Sequence, residues 1–317
     1  MSLVICPFTS EDSVEWDAFC EESLQGTLLH TRKFLSYHEG RFSDQSLIIS
    51  SKEKIVGVLP AAINSQDPTQ VVSHPGSTYG GILHHGGMRG DAMIEALYLI
   101  QDYYSKLGFQ SLIYKVTPSF YHRSPAQDDL YALFRLGASK IRCDLSSTID
   151  LQNRLSLIKG RRWALKKAQK SNVNITQGFS CLKSFWKILT NNLAEKHEAS
   201  PVHSLGEIEI LMERFPEEIL CICAEHNGVI VAGVILFVTH QTLHTQYIAS
   251  NASGQDVSAL DAVIEHCISL GITMNKRWFD FGINNENNSL ILNDGLYTYK
   301  NGFGGGGYIQ EFYKLVF

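Results

Sequence analysis

The stretch FDFGINNENNSLILNDGLYTYKNGFGGGG, from Phe279 to Gly307, gathers side chains that could do chemistry close together. Asp280 opens a D-F-G triplet, Asn284, Asn285 and Asn288 offer amides, Lys300 follows an aromatic residue, and four glycines close the run. A protein-kinase aspartate is one reading of the triplet. It needs an H-R-D catalytic loop, a V-A-I-K lysine and a glycine-rich nucleotide loop upstream, and the chain has none of these. Nor do Gly304 to Gly307 make a phosphate loop, because G-x-x-x-x-G-K-[ST] requires a Lys-Ser or Lys-Thr that does not follow. Those glycines predict either a turn with positive φ or a bare backbone wall that something approaches closely.

Other chemistries find less support. His84-His85 and His240-x-x-x-His244 have no Cys or carboxylate cluster nearby, so no metal site is expected. A Ser-His-Asp hydrolase would need a G-x-S-x-G elbow, which is missing. His197, Glu198 and His203 fall in a loop between two helices, the second capped by Ser204 with Glu207 three residues on. The seven cysteines are scattered, odd in number and without C-x-x-C spacing. All are expected to be reduced, structural thiols, with Cys221 and Cys223 on the same face of a strand.

The elements that must position these residues occur twice. SLIISSKEKIVGVLPAAI (Ser46 to Ile63) and EILCICAEHNGVIVAGVILFV (Glu218 to Val238) both read as β-hairpins. Each is followed by a helix ending in Leu-Gly and then a strand. The first helix shows Met93, Ile94, Leu97, Ile100, Tyr104 and Leu107 on one face and stops at Gly108. The second shows Leu260, Val263, Ile264, Cys267 and Leu270 and stops at Gly271. The repeat predicts a tandem duplication of one α/β unit with a mixed sheet. Domains are expected over residues 1–150 and 151–317, the second opening with a basic connector helix at about 153–173.

That connector, NRLSLIKGRRWALKKAQKSNV, carries Arg154, Lys159, Arg161, Arg162, Lys166, Lys167 and Lys170 and no acidic residue. Leu155, Ile158, Trp163, Leu165 and Ala168 form the expected buried stripe, with a break or kink near Gly160. In a chain of net charge −5, such a cluster points to an anionic, phosphate-containing partner. The same net charge argues against a general nucleic-acid coat. The 317 residues, 44% of them hydrophobic, suit a globular protein of two domains. No apolar run approaches the ~20 residues that span a bilayer, and MSLVICPFTSED lacks the features of a signal peptide. A cytoplasmic protein is expected.

At this point a family resemblance becomes specific. The order HTQYIASN (244–251), a helix, RWFDFGINNEN (277–287), GLYTYKNGFGG (295–305) and a final strand resembles the C-terminal half of the Fem family. These are peptidoglycan-bridge aminoacyltransferases and FemAB-like relatives, built from two GNAT-type acyltransferase folds. GRRWALKKAQKSNV (160–173) is similar to the basic segment joining their halves, and HPGSTYGGI (74–82) to a glycine-rich stretch of the first half. The resemblance implies transfer of an acyl or aminoacyl group to an amine.

It places Tyr299-Lys300 where the family carries an aromatic-Lys pair near the transfer centre, with Tyr where Phe is usual. A protonated Lys300 would stabilise the oxyanion formed when an amine attacks an ester or thioester. Asp280, at the end of a central strand, would orient or deprotonate that amine. Arg161, Arg162 and Lys166 would hold phosphates, and Tyr79, Tyr247, Tyr299, Asn284 and His203 would line the substrate. IASNASGQDVSAL (248–260) offers Gly254 alone, followed by Asp256, where an acyl-CoA enzyme needs a glycine-rich pyrophosphate loop. No permanently bound cofactor is expected, and the donor is aminoacyl-tRNA or acyl-CoA.

The expected fold is therefore α/β with two tandem GNAT-like domains. The expected function is N-acyl or aminoacyl transfer to a phosphorylated or lipid-linked cell-envelope precursor, with charged tRNA a candidate partner. The alternatives are an acyl-CoA-dependent enzyme acting on an amino sugar in surface-polysaccharide synthesis, and a non-catalytic double GNAT that binds a glycan or nucleotide sugar.

Overall fold

The computed structural model describes residues 2–197 and 200–317, with the side chains of Lys196 and His197 outside the description. The chain forms two compact units, Met1–Asp144 with Ile309–Phe317, and Leu145–Tyr308.

The first unit begins with β1 (Val4–Pro7), α1 (Ser13–Glu22) and α2 (Arg32–Leu35). It continues through β2 (Leu47–Ser51), β3 (Lys54–Leu59), β4 (Ala62–Asn64), β5 (Asp67–Val72) and β6 (Leu83–His84). Then follow α3 (Asp91–Lys106), β7 (Ser111–Lys115), α4 (Asp128–Arg135) and β8 (Ser139–Asp150), within which the chain passes to the second unit. The hairpin β2–β3 turns at Lys52 and Glu53, both with positive φ, the pairing that matches the right-handed twist of the strands it joins. On α3, Met93, Ala96, Leu97, Ile100 and Tyr104 are buried, while Leu107 caps the helix and stays exposed. Strands β5 and β7, which precede and follow α3 with the short β6 between β5 and the helix, run parallel: Gln70 faces Ser111, Val71 faces Leu112 and Val72 faces Ile113.

The second unit repeats this order. It contains α5 (Lys159–Lys170), β9 (Asn174–Gln177), α6 (Phe179–His197), α7 (Leu205–Arg214), β10 (Ile219–His226), β11 (Val229–Val238) and β12 (Thr242–Ser250). After these come α8 (Ala252–Asp256), α9 (Ala259–Thr273), β13 (Trp278–Ile283), β14 (Asn285–Glu286), β15 (Ile291–Leu292) and α10 (Asp294–Asn301), and then β16 (Gly306–Val316), within which the chain returns to the first unit at Ile309. Asn227 and Gly228, again both with positive φ, turn the β10–β11 hairpin. Strands β8, β13, β12, β11, β10 and β9 lie side by side in that order, and only β12–β13 is parallel. One face packs on α9 through Ile149, Val234, Leu236, Leu243, Val263, Ile264, Cys267, Phe279 and Phe281. Phe279 is fully buried there. Phe279→Ala should lower stability by about 3–5 kcal/mol, read as an earlier urea midpoint.

Three sequence expectations change. The connector helix begins only at Lys159, so Gly160 lies in its first turn rather than at a kink. Residues 155–158 precede the helix, held by Leu155 and Ile158 N–H donating to the Gly304 and Gly302 carbonyls. Its buried stripe is Ala164 and Ala168, two small side chains that let it lie close to α9, so Leu155 and Trp163 face outward, while Ile158, half-exposed, packs on Gly302. Helix α9 also runs through Gly271 to Thr273, and a Cβ at Gly271 would press on Leu151. The cysteines are all free thiols, although Cys6 and Cys143 are exposed rather than buried. Among the described residues, no helix is long and apolar enough to cross a membrane.

Candidate active site

The parallel ladder between β12 and β13 has three rungs, and the last joins His244 to Asp280. Side chains alternate along a strand. Leu243 and Phe279 point into the core on α9, so His244 and Asp280 both leave the opposite face and meet. The imidazole Nδ1 stands 2.7 Å from Asp280 Oδ2. Asp280 Oδ1 accepts hydrogen bonds from the hydroxyls of Ser146 (2.5 Å) and Thr148 (3.1 Å) on β8.

Burial works to raise the Asp280 pKa, but the His244 bond and charge, the Ser146 hydroxyl and the Gly282 N–H outweigh it and hold Asp280 below the usual carboxylate range. An ionised carboxylate only accepts, so Nδ1 carries the proton and the lone pair of a neutral His244 lies on Nε2. The His244 side chain keeps 14% of its surface, and Nε2 has no partner among the described residues.

The D-F-G triplet now has a physical account. Asp280 holds the imidazole, Phe281 packs between Phe279 and Phe303, and Gly282 adopts φ +75°. That glycine breaks the register of β13 against β8 between Asp280 and Ile283. Successive carbonyls of a regular strand point opposite ways. Across this irregularity, the Gly282 and Ile283 carbonyls instead converge on Lys300 Nζ, at 3.1 and 2.8 Å. Lys300 sits at the end of α10 and is buried. Burial lowers its pKa to about 8 against the opposing pull of Asp280. Two of the three ammonium N–H groups are taken, which leaves one donor for a developing negative charge. A Cβ at Gly282 would stand 3.4 Å from the His244 ring, so one backbone turn serves both side chains.

The remaining sequence candidates divide by what they touch. Tyr247 and His203 come together, Nδ1 of His203 lying 2.7 Å from the Tyr247 hydroxyl, which also accepts from the His203 N–H. The expected Ser204 cap of α7 forms with Glu207 as a reciprocal pair. His197 closes α6 rather than lying in a loop; its side chain, and Glu198 altogether, lie outside the described residues.

Arg161 is not available for phosphate. Its guanidinium pairs with Asp261 and stacks 4.5 Å over the Tyr299 ring, while burial pushes the Tyr299 phenol pKa up. Asn284 gives its amide NH2 to the Leu145 carbonyl and the Ser147 hydroxyl, a strut between β13 and β8 rather than an open contact. Tyr79 is buried in the first unit, donating to Thr27 and packed on Tyr121. Arg162 and Lys166 face solvent. Gly304, at φ +95°, lies where a Cβ would strike the Leu155 carbonyl, so the glycine run packs against its own chain.

Sequence reasoning missed His244. Asp280 was singled out, but its partner is 36 residues away and carries meaning only once β12 and β13 are paired. The loop after β12 is likewise clear only in three dimensions. Asn251 caps the short helix α8, and a Cβ at Gly254 would strike the Val231 carbonyl, so this glycine is committed to packing. Among the described residues, no group of three His, Cys, Asp or Glu side chains gathers as a metal site.

Residues 153–301 match the acetyltransferase (GNAT) domain family. Among solved structures, FemX superposes over 99% of this chain and 97% of its own, with a TM-score of 0.70 at 12% identity. The chain has a Fem-like tandem GNAT fold. The C-terminal domain of a putative lysylphosphatidylglycerol synthetase from Agrobacterium fabrum matches this tandem GNAT over 97% of its length and 92% of its own. The TM-score there is 0.62 at 8% identity. A tandem GNAT protein from the clavulanic acid biosynthesis pathway matches over 99% and 98%, with a TM-score of 0.53 at 12% identity. No curated protein matches the chain. In tandem GNAT terms, β12, α9 and β13 are the second copy of the strand-helix-strand core and β5, α3 and β7 the first. Only the second bears ionisable side chains on its last rung.

Proposed function

We propose that this tandem GNAT is a Fem-like N-acyltransferase. It would pass an acyl or aminoacyl group to an amine of a phosphorylated or lipid-linked cell-envelope precursor, working from the cytoplasmic side. The observation that carries the reading is the His244–Asp280 pair on the last β12–β13 rung, with Lys300 anchored to the adjoining backbone.

His244 Nε2 takes the proton from the attacking amine, and Asp280, ionised, holds the tautomer and balances the imidazolium that results. The amine nitrogen bonds to the acyl carbon, and the carbonyl oxygen gains the electron pair. The Lys300 ammonium donates its remaining N–H to that oxyanion. Collapse breaks the bond to the donor's oxygen or sulfur, and the His244 imidazolium returns its proton to that atom as it leaves as an alcohol or thiol. Asp280 thus acts through His244 rather than on the amine itself.

Donor choice rests on the β12–α9 connection. Gly254, the one glycine between β12 and α9, is packed against Val231, so the connection lacks the glycine-rich loop that holds a pyrophosphate, which favours aminoacyl-tRNA over acyl-CoA. One neighbour is named a lysylphosphatidylglycerol synthetase, a name that joins an amino acid to a lipid. The acetyltransferase description of the matching family favours the second reading, acyl-CoA transfer to an amino sugar. The test supplies labelled charged tRNA and labelled acetyl-CoA separately with amine acceptors. We expect label to move from charged tRNA. Turnover from acetyl-CoA alone would select the second reading, and none from either donor would leave a binding protein.

A further inference from the structure

One face of α5 has no role in this chemistry. Lys159, Arg162, Trp163, Lys166 and Lys170 fall at i, i+3, i+4, i+7 and i+11, a single stripe of the helix, and all five are exposed. Of the seven cations between residues 153 and 173, two are committed to carboxylates: Arg154 to Glu265 and Arg161 to Asp261. The other five, Lys159, Arg162, Lys166, Lys167 and Lys170, meet no carboxylate among the described residues. They stand together in a chain whose net charge is −5.

Charge alone would make this a solvated surface, but the apolar side chains beside it are not explained by water. Trp163 is 64% exposed with Lys167 Nζ 5.4 Å from its ring, and the approach to the helix exposes Leu155 (65%) and Ile158 (46%). Large apolar side chains left exposed beside cations that pair with no carboxylate mark a contact. An indole among lysines and arginines is the combination that settles at a bilayer interface: the cations meet lipid phosphates and the ring sits at headgroup depth. A nucleic acid would use the cations and could stack on the indole, but Leu155 and Ile158 would gain nothing from phosphates.

We propose that the outer face of α5, with Leu155 and Ile158, docks on the surface of an anionic lipid bilayer. This concerns where the protein works, so its test needs no acyl donor and its failure leaves the transfer reading intact. The full chain is sedimented with phosphatidylcholine vesicles, with or without about 30 mol % phosphatidylglycerol, at low and high salt. Binding should be at least about tenfold tighter to the anionic vesicles and should weaken with salt.

R162E/K166E should lose about tenfold or more of that binding, and W163A a smaller part that salt does not mimic. Since these side chains are exposed, thermal melting should match the parent, and K159E/K170E gives a second charge reversal on the same stripe. Equal binding to both vesicle types would overturn the proposal, as would undiminished binding by both double variants. So would loss of RNA binding by R162E/K166E with vesicle binding intact, which would assign the face to nucleic acid.

Discussion

His244→Ala should lower kcat by about 10²–10⁴-fold and leave KM within a few-fold, because it removes a proton acceptor used only at the transition state. Added imidazole should restore part of the rate, which a merely structural histidine would not allow. Asp280→Asn tests the same arrangement from behind. An amide can present its NH2 to Nδ1, which favours the tautomer with the proton on Nε2 and blocks the base, so kcat should fall with little change in KM. Asp280→Asn keeps the volume and can still accept from the Ser146 and Thr148 hydroxyls, and melting temperature separates a folding loss from a chemical one. If His244→Ala turns over at the parental rate, the base lies elsewhere and the proposed mechanism fails.

The second large effect belongs to Lys300. Lys300→Met keeps the length and removes the donor, and kcat/KM should fall by about 10²–10³-fold. The pH dependence is the sharper reading. Burial holds the ammonium at about 8, so the donor is charged below that pH and neutral above it. The rate of the parent should therefore decline on the alkaline side through about 8. Lys300→Met should show a low rate without that decline. Lys300→Arg should keep part of the activity and carry the decline to higher pH, since a guanidinium stays protonated. A parental profile flat through this range would remove Lys300 from the chemistry and leave it the anchor of the Gly282 and Ile283 carbonyls.

Much of this fold could be read in the sequence because its signals are local. Both hairpins, the faces of α3 and α9 and the doubled order of elements follow from periods of two and 3.6 residues and from turn residues at fixed places. Asp280 and Lys300 were legible by residue type and by likeness to Fem proteins.

What escaped depends on non-local pairing. In the sequence His244 stands out by its spacing to His240 and by opening HTQYIASN, and neither points to a side chain on a parallel strand 36 residues on. The alternation in QTLHTQ and RWFDFG held the clue, since burying Leu243 and Phe279 sends His244 and Asp280 to one face. Helix α5 misled for the opposite reason. Its apolar residues suggested an inner stripe through Trp163, but close packing on α9 selected the small residues Ala164 and Ala168, and Arg161 turned inward to Asp261.

The first unit repeats the parallel three-rung ladder with Val72 and Ile113 on its last rung, hydrocarbon where the second has imidazole and carboxylate. The molecule thus contains its own blank: one scaffold written out twice, with ionisable letters on that rung in a single copy.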